Sequence, residues 1–380
     1  LRHSNRTELL GFSDIVKIRN RVLDMQARGE RVLRLEGGEP YMPTPAFIKD
    51  AMKEALDANQ TRYAPSSGVP ELLDAIRAKL AARNGVEGDV IVTSGGAHGL
   101  FCAFQATVNP GDDVMLFAPW WTPIRDQVHY CGGELVRVPW SETRGVDDLG
   151  DTLRSHFTDK TRVFYVNTPS NPTGDVLSRG QLESIARFAI KHDLIVISDE
   201  AYEDLVYDGE HVSLASLPGM RERTISVYTL SKSFAMTGWR VGYLVAGNLW
   251  MDALKKLVLN SINGVSTPSQ FAAAAAITNG RQFIDSIVPE YRERRDRLAR
   301  GLTGAGFRCV PPHGAFYLFA DARERLGNNS WEAMETLLAR TSIAAVPGVV
   351  FGPEGEGFLR MSFSTSMDVI DQAVEALKAL

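Results

Sequence analysis

The chain has 380 residues, 44% hydrophobic and 23% charged, with a formal net charge of −5. That length exceeds one small core and allows two or three domains, or one large α/β domain with a smaller companion. The mild negative balance gives no reason to expect nucleic acid or an anionic membrane surface as partner, and no apolar run reaches the roughly 18–20 residues of a membrane span. Three separated cysteines, Cys102, Cys131 and Cys309, lack CxxC spacing and argue against both a disulfide framework and a zinc site. The opening LRHSNRTELLGFSD has no apolar stretch of signal-peptide type. The expectation is a reduced, cytoplasmic protein without a metal centre.

In chain order, PELLDAIRAKLAARNG (70–85) has helical spacing, and a strand follows at 90–93. Further strands are expected at 113–117, 162–166, 194–198, 224–228 and 241–246. Runs such as VMLF and LIVIS suit strands buried on both faces of a mostly parallel sheet. Helical stretches such as RGQLESIARFAIKHD lie between them, which predicts an α/β fold layered helix–sheet–helix. The last hundred or so residues read differently. A long charged helix is expected over 282–302 despite Pro289, then short strands and two helices ending in MDVIDQAVEALKAL. This predicts a smaller α+β domain from 1–40 and 281–380, beside a large domain at 41–280. No internal repeat or long linker separates them.

Five segments carry candidate chemistry. The strand at 90–93 runs into Ser94-Gly95-Gly96 before a helix, a turn that either cradles phosphate with its N–H groups or simply joins two elements. In VNTPSNPTG, two prolines and a glycine rigidify the turn that holds Asn171, either as an amide donor or as an Asx turn. Asp199 and Glu200 follow directly on an apolar strand, with Tyr202 beyond. A carboxylate there needs a cation, such as a protonated pyridine nitrogen, unless it caps a helix or binds magnesium. Lys232, in YTLSKSFAMTGWRVGY, has Thr229, Ser231 and Ser233 around it and Arg240 eight residues on. Neighbouring cations or an apolar cleft would lower its basicity and make it a nucleophile and base. Arg360 interrupts the apolar run GFLRMSFS and wants a carboxylate, from a substrate or from an internal salt bridge.

SKSFAMTGWRVGY, SNPTG, SDEAY and FLRMSFS, in that order and spacing, resemble the class I and II pyridoxal-phosphate aminotransferases of fold type I, the aspartate aminotransferase-like group. The resemblance runs from LEGGEPYMPTP at 35–45 to Arg360. One departure is Thr229, where the family usually has Ser or Gly three residues before the lysine; its hydroxyl can still bind phosphate.

The resemblance implies pyridoxal 5′-phosphate as cofactor and transfer of an amino group from an α-amino acid to a 2-oxo acid. It implies Lys232 as the Schiff-base lysine and Asp199 as partner of the pyridine nitrogen. Tyr202 and Asn171 become donors to the phenolic oxygen, and Gly96, Ala97, Thr229 and Arg240 the phosphate cup. Trp121 is implied as the ring that stacks on the cofactor, with Trp120 as rival. Arg360 would clamp the substrate α-carboxylate with Asn171 and the backbone of Gly38. Tyr63 would reach the phosphate of a neighbouring subunit, which implies a homodimer with composite sites. The same cofactor set supports β-elimination, cyclopropane formation or cyclisation, and the fold also serves non-catalytic ligand-sensing domains. Members of the family often place a lysine after the two glycines to meet a dicarboxylic substrate. This chain has Ala97 there, followed by His98, so a strict preference for dicarboxylic amino acids is not expected.

Overall fold

The computed structural model describes residues 2–380. Its strands are β1 (Leu33–Arg34), β2 (Asp89–Thr93), β3 (Asp113–Ala118), β4 (Glu134–Pro139), β5 (Thr161–Asn167), β6 (Ile195–Asp199), β7 (Thr224–Thr229), β8 (Gly242–Ala246), β9 (Tyr317–Asp321), β10 (Ile343–Ala344), β11 (Val346–Pro347) and β12 (Phe358–Ser362). Seven of them form one sheet in the order β2-β8-β7-β6-β5-β3-β4. β8 alone runs against the other six strands. The alternation of side chains along each strand supplies both faces of this sheet. On β5, Val163 and Tyr165 join a core with Leu100 and Phe104 of the helix Gly95–Thr107. Phe164 and Val166 point the other way, toward Leu182, Ile185 and Phe188 of the helix Arg179–Lys191. The result is helix–sheet–helix, as the apolar strand runs predict.

β9, β11 and β12 make a small antiparallel sheet. The helices Arg281–Gly304 and Met367–Leu377 share a core with it. β1 pairs in parallel with β10, so the N-terminal segment joins the C-terminal region. The core of this part also takes in Tyr202, Leu205 and Tyr207 from the segment after β6.

Three differences from the sequence reading have physical causes. β4 was not foreseen, because it is a half-exposed edge strand without a continuous apolar run. The helix at 70–85 is regular only over Pro70–Lys79 and widens into a turn at Leu80–Asn84, where Asn84 donates to Glu203. Asp199 is the last residue of β6 rather than the first beyond it, so the ladder itself fixes its backbone opposite Asn167 and Val227. The long helix runs through Pro289 from Arg281 to Gly304. Proline there forfeits a backbone bond, and the buried stripe of Ile284, Ile287, Tyr291, Leu298 and Leu302 offsets that loss.

Candidate active site

Gly242 opens β8 between the ends of β2 and β7, opposite both Thr93 and Thr229. A Cβ on Gly242 would come within 2.6 Å of the Tyr228 carbonyl oxygen, so this corner requires glycine. The helix Gly95–Thr107 starts here, and its first-turn N–H groups have no partner within the helix. Arg240 seals one side in the left-handed conformation (φ 58°), an arrangement costly for a non-glycine residue. Its guanidinium donates to the carbonyls of Thr237 (2.7 Å) and Ser94 (3.2 Å). Gly95 allows that approach: its φ is +75°, and a Cβ would meet Arg240 Nη2 at 2.6 Å. With Gly96, Ala97, Thr229 and Ser231 this makes a cationic, hydroxyl-bearing corner of a cavity of about 580 Å³.

Lys232 lies on the one-turn helix Leu230–Ser233, in the same cavity. Its Nζ donates to the Gly38 carbonyl at 2.6 Å. Burial lowers its pKa from 10.5 to about 8, with Arg360 and Arg240 adding to the fall and Glu39 opposing it. Asp199 lines the wall at the end of β6. Burial raises its pKa to about 6, against hydrogen bonds from the Tyr165 hydroxyl (2.7 Å) and the Ala201 N–H (3.2 Å). No cation is bonded to this buried carboxylate among the described residues.

At the other end, Arg360 on β12 is 2% exposed. It donates to Asn171 Oδ1 (3.2 Å) and to the Glu36 carbonyl (2.8 Å), while its Nε has no partner. The guanidinium lies over Tyr317, 4.4 Å from the ring centre. Because Asn171 accepts through its oxygen, its amide nitrogen is left as a donor, the orientation set by the network. Tyr202 and Tyr317 share a hydrogen bond of 2.8 Å between their hydroxyls. Burial raises both of their pKa values, so both stay protonated.

Of the site residues that the resemblance implies, the cavity lining gathers all but Tyr63 and the rival ring Trp120, while Glu200, Ser233 and His98 also lie outside it. Tyr63 is 88% exposed and lies outside this lining. Trp121 lines the cavity, whereas Trp120 is buried against Gly352. His98 turns away from the cavity. Its Nδ1 accepts from the Ser94 N–H (3.1 Å), and its Nε2 faces Ser261 Oγ (2.8 Å). Burial lowers its pKa from 6.5, which disfavours the cationic form that a distal carboxylate would need. Arg19, Arg34 and Tyr317 also line the cavity and were not picked out. Arg34 carried the same signal as Arg360, a charge among the apolar residues of a strand. Glu200, Glu203 and His211 form the one grouping of metal-ligating side chains found among the described residues. It lies outside this cavity lining, and Lys79 supplies its cation, 2.5 Å from both oxygens of Glu203.

This donor set fits pyridoxal 5′-phosphate. An uncompensated buried carboxylate suits a protonated ring nitrogen, and the glycine-walled cationic corner suits a phosphate. The family model described as aminotransferase class I and II matches residues 30–377. An aspartate aminotransferase of Pyrococcus abyssi is 37% identical over 99% of this chain and 97% of its own. An aromatic-amino-acid aminotransferase of Thermococcus litoralis is 35% identical over 99% and 97%. Among solved structures, an aspartate aminotransferase from Thermus thermophilus with maleate superposes with a TM-score of 0.94 at 35% identity, over 100% of both chains.

Proposed function

This chain belongs to the class I and II aminotransferases, pyridoxal phosphate-dependent enzymes of fold type I, and we propose that the cavity described above is where it moves an amino group from an α-amino acid to a 2-oxo acid. The observation that carries this reading is the convergence of Lys232, Asp199, Arg240 and Arg360, from three separate segments, on one cavity. Bound pyridoxal phosphate supplies the electron sink that lets an amino acid lose its α-proton. In this reading Arg240 and the Gly96–Ala97 backbone hold the phosphate, with Thr229 beside them. Asp199 holds the positive charge of the ring nitrogen, and Asn171 and Tyr202 donate to the phenolic oxygen. Trp121 covers the ring face and keeps water away.

Arg360 has two nitrogens on protein acceptors and an Nε free, in a site where a bidentate carboxylate is the natural further partner. That fixes the α-carbon of a substrate. Lys232 Nζ is the attachment point of the cofactor and, once displaced, the base that takes the α-proton and returns it one position away. Its burial serves this role, since a neutral amine is needed near pH 7–8.

The relatives described above are named for aspartate or for aromatic amino acids. For this chain we favour a range of side chains over strictly dicarboxylic ones, because Ala97 offers no charge and His98 faces away. The exposed Tyr63 supports a homodimer in which it completes the partner's site. The large sheet within 41–280 and the small sheet with β1 and β10 support the two-domain division at 1–40 and 281–380. Three free thiols favour a cytoplasmic setting, and no helix among the described residues is long and apolar enough to cross a membrane. Borohydride reduction of the holoenzyme tests the central assignment. The cofactor should be fixed to the peptide that bears Lys232, and label on another lysine would overturn it.

A further inference from the structure

The last turn of the sheet holds a contact that the reading above does not use. Tyr165 stands opposite Ile197 on the neighbouring β6, and Asp199 is the next residue of that strand on the same face. The two are therefore diagonal neighbours, close enough for a long side chain to bridge. The Tyr165 hydroxyl does so, 2.7 Å from Asp199 Oδ2. Its ring is 2% exposed, packed 5.9 Å from Phe104 of the helix Gly95–Thr107. Among the described residues the hydroxyl has no other partner, and no other side chain donates to either Asp199 oxygen. Tyr165 does not line the cavity; it reaches Asp199 from behind.

We propose that Tyr165 is a positioning residue for the transamination reaction: its hydroxyl fixes the rotation of the Asp199 carboxylate so that it meets the ring nitrogen of bound cofactor. The inference rests on Asp199 being that nitrogen's partner. Without Tyr165, Oδ2 loses its donor and the carboxylate keeps only the Ala201 N–H on Oδ1. A buried carboxylate with half its bonds missing becomes easier to protonate and to rotate, and both changes weaken its pairing with a pyridinium. Glu200 and Tyr202 from the turn after β6, and Lys232 from the segment after β7, also act on Asp199. None of these is placed to substitute for the bond, since Glu200 is engaged by Ser198, Ser213 and His211, and Tyr202 by Tyr317.

The test compares equilibrium affinities of the apoenzyme for pyridoxal phosphate and for its analogue with carbon in place of the ring nitrogen. Tyr165→Phe keeps the ring and removes the hydroxyl. It should weaken pyridoxal phosphate binding roughly tenfold, the scale of one hydrogen bond to a charged group, and leave analogue binding nearly unchanged. In an Asp199→Ala background the same substitution should have no further effect. Tyr165→Met, which also lacks a donor, repeats the comparison should the Phe variant not fold. Equal weakening for cofactor and analogue, or undiminished loss in the Asp199→Ala background, would show a packing role only and overturn the proposal. If Asp199→Ala itself leaves the preference for the nitrogen-bearing ring intact, the assignment of Asp199 fails, and this inference with it. If Asp199→Ala abolishes the preference but both Tyr165 variants keep it, only this inference fails.

Discussion

Burial brings the Lys232 ammonium from 10.5 to about 8, and the sign of that shift has two measurable effects. The neutral amine is the reactive form, so modification of Lys232 in the apoenzyme by an amine-selective reagent should follow a titration midpoint near 8. Because the unfolded lysine keeps its proton up to about 10.5, the unfolded state binds more protons between those two values. The contribution of Lys232 to apoenzyme stability should therefore rise as pH increases from about 8 to 10.5. A reactivity midpoint at the ordinary lysine value would mean that the side chain is hydrated. The same scale decides the substrate range. Arg19 lines the cavity without an ion-pair partner among the described residues, while Arg34 is held by Glu36 at 2.8 Å. Single-turnover rates with aspartate, glutamate, alanine, leucine, phenylalanine and arginine should show neutral and aromatic side chains within about tenfold of aspartate, the value of losing one modest charge contact. A hundredfold lead for the acidic pair, lost in Arg19→Ala, would instead make Arg19 the distal cation. Much of the candidate site was legible at this scale because Asp199 and Arg360 are charges at the end of or within apolar runs, and Lys232 stands among small hydroxyl side chains in a specific motif. Tyr165 was not, because a tyrosine in a strand reads as core until its neighbour 34 residues on is known. The choice between Trp120 and Trp121 was likewise a matter of side-chain direction, which adjacency in sequence leaves open.

Among the elements, the turn after β6 is tied down by a buried ion cluster. Lys79, at the end of the helix Pro70–Lys79, reaches both oxygens of Glu203 and lies 4.6 Å from the centre of the Tyr228 ring. Burial alone would lower the Lys79 pKa, but its interactions with Glu203, Tyr243 and Asp204 together more than reverse this and hold the amine protonated. Lys79→Met leaves Glu203 buried without its cation, a change expected to cost about 3–5 kcal/mol. Denaturant unfolding of the apoenzyme would measure it, and a loss below about 1 kcal/mol would indicate that water reaches the pair. Elements as such were easier to read than their edges. The helix Arg179–Lys191 carries its own start signal, Ser178 and Gln181 in a reciprocal cap. β4 carries none, since an edge strand needs only one apolar face. The widened turn at Leu80–Asn84 depends on Asn84 meeting Glu203, a contact between residues 119 positions apart.

At the scale of the whole molecule, Tyr63 and Phe12 are 88% and 91% exposed, unusual for aromatic side chains. Burial in the proposed homodimer is the expected reason for both. Neither Lys232→Ala nor Tyr63→Phe should support full activity alone, but mixing them under subunit exchange should restore turnover. Such mixed dimers contain one site free of both changes. No gain on mixing, with exchange confirmed, would place Tyr63 outside the partner's site. The three-layer architecture was foreseeable from the alternation of apolar runs and helical stretches. The sheet order was not, because it is set by which strands meet across long stretches of chain.

That order has a consequence for how the protein comes into being. β2 finds its place only against β8, and Thr93 meets Gly242 across about 150 residues of intervening chain. Distant pairings of this kind are entropically late events. The corner between Gly96 and Arg240 is built on that pairing, so it does not exist while the ribosome is still making β5 or β6. A nascent chain has no such corner to offer a phosphate until the strand ending at Ala246 has been made. Cofactor capture in this molecule thus reports completion of the large sheet, and it cannot guide the early steps that assemble it.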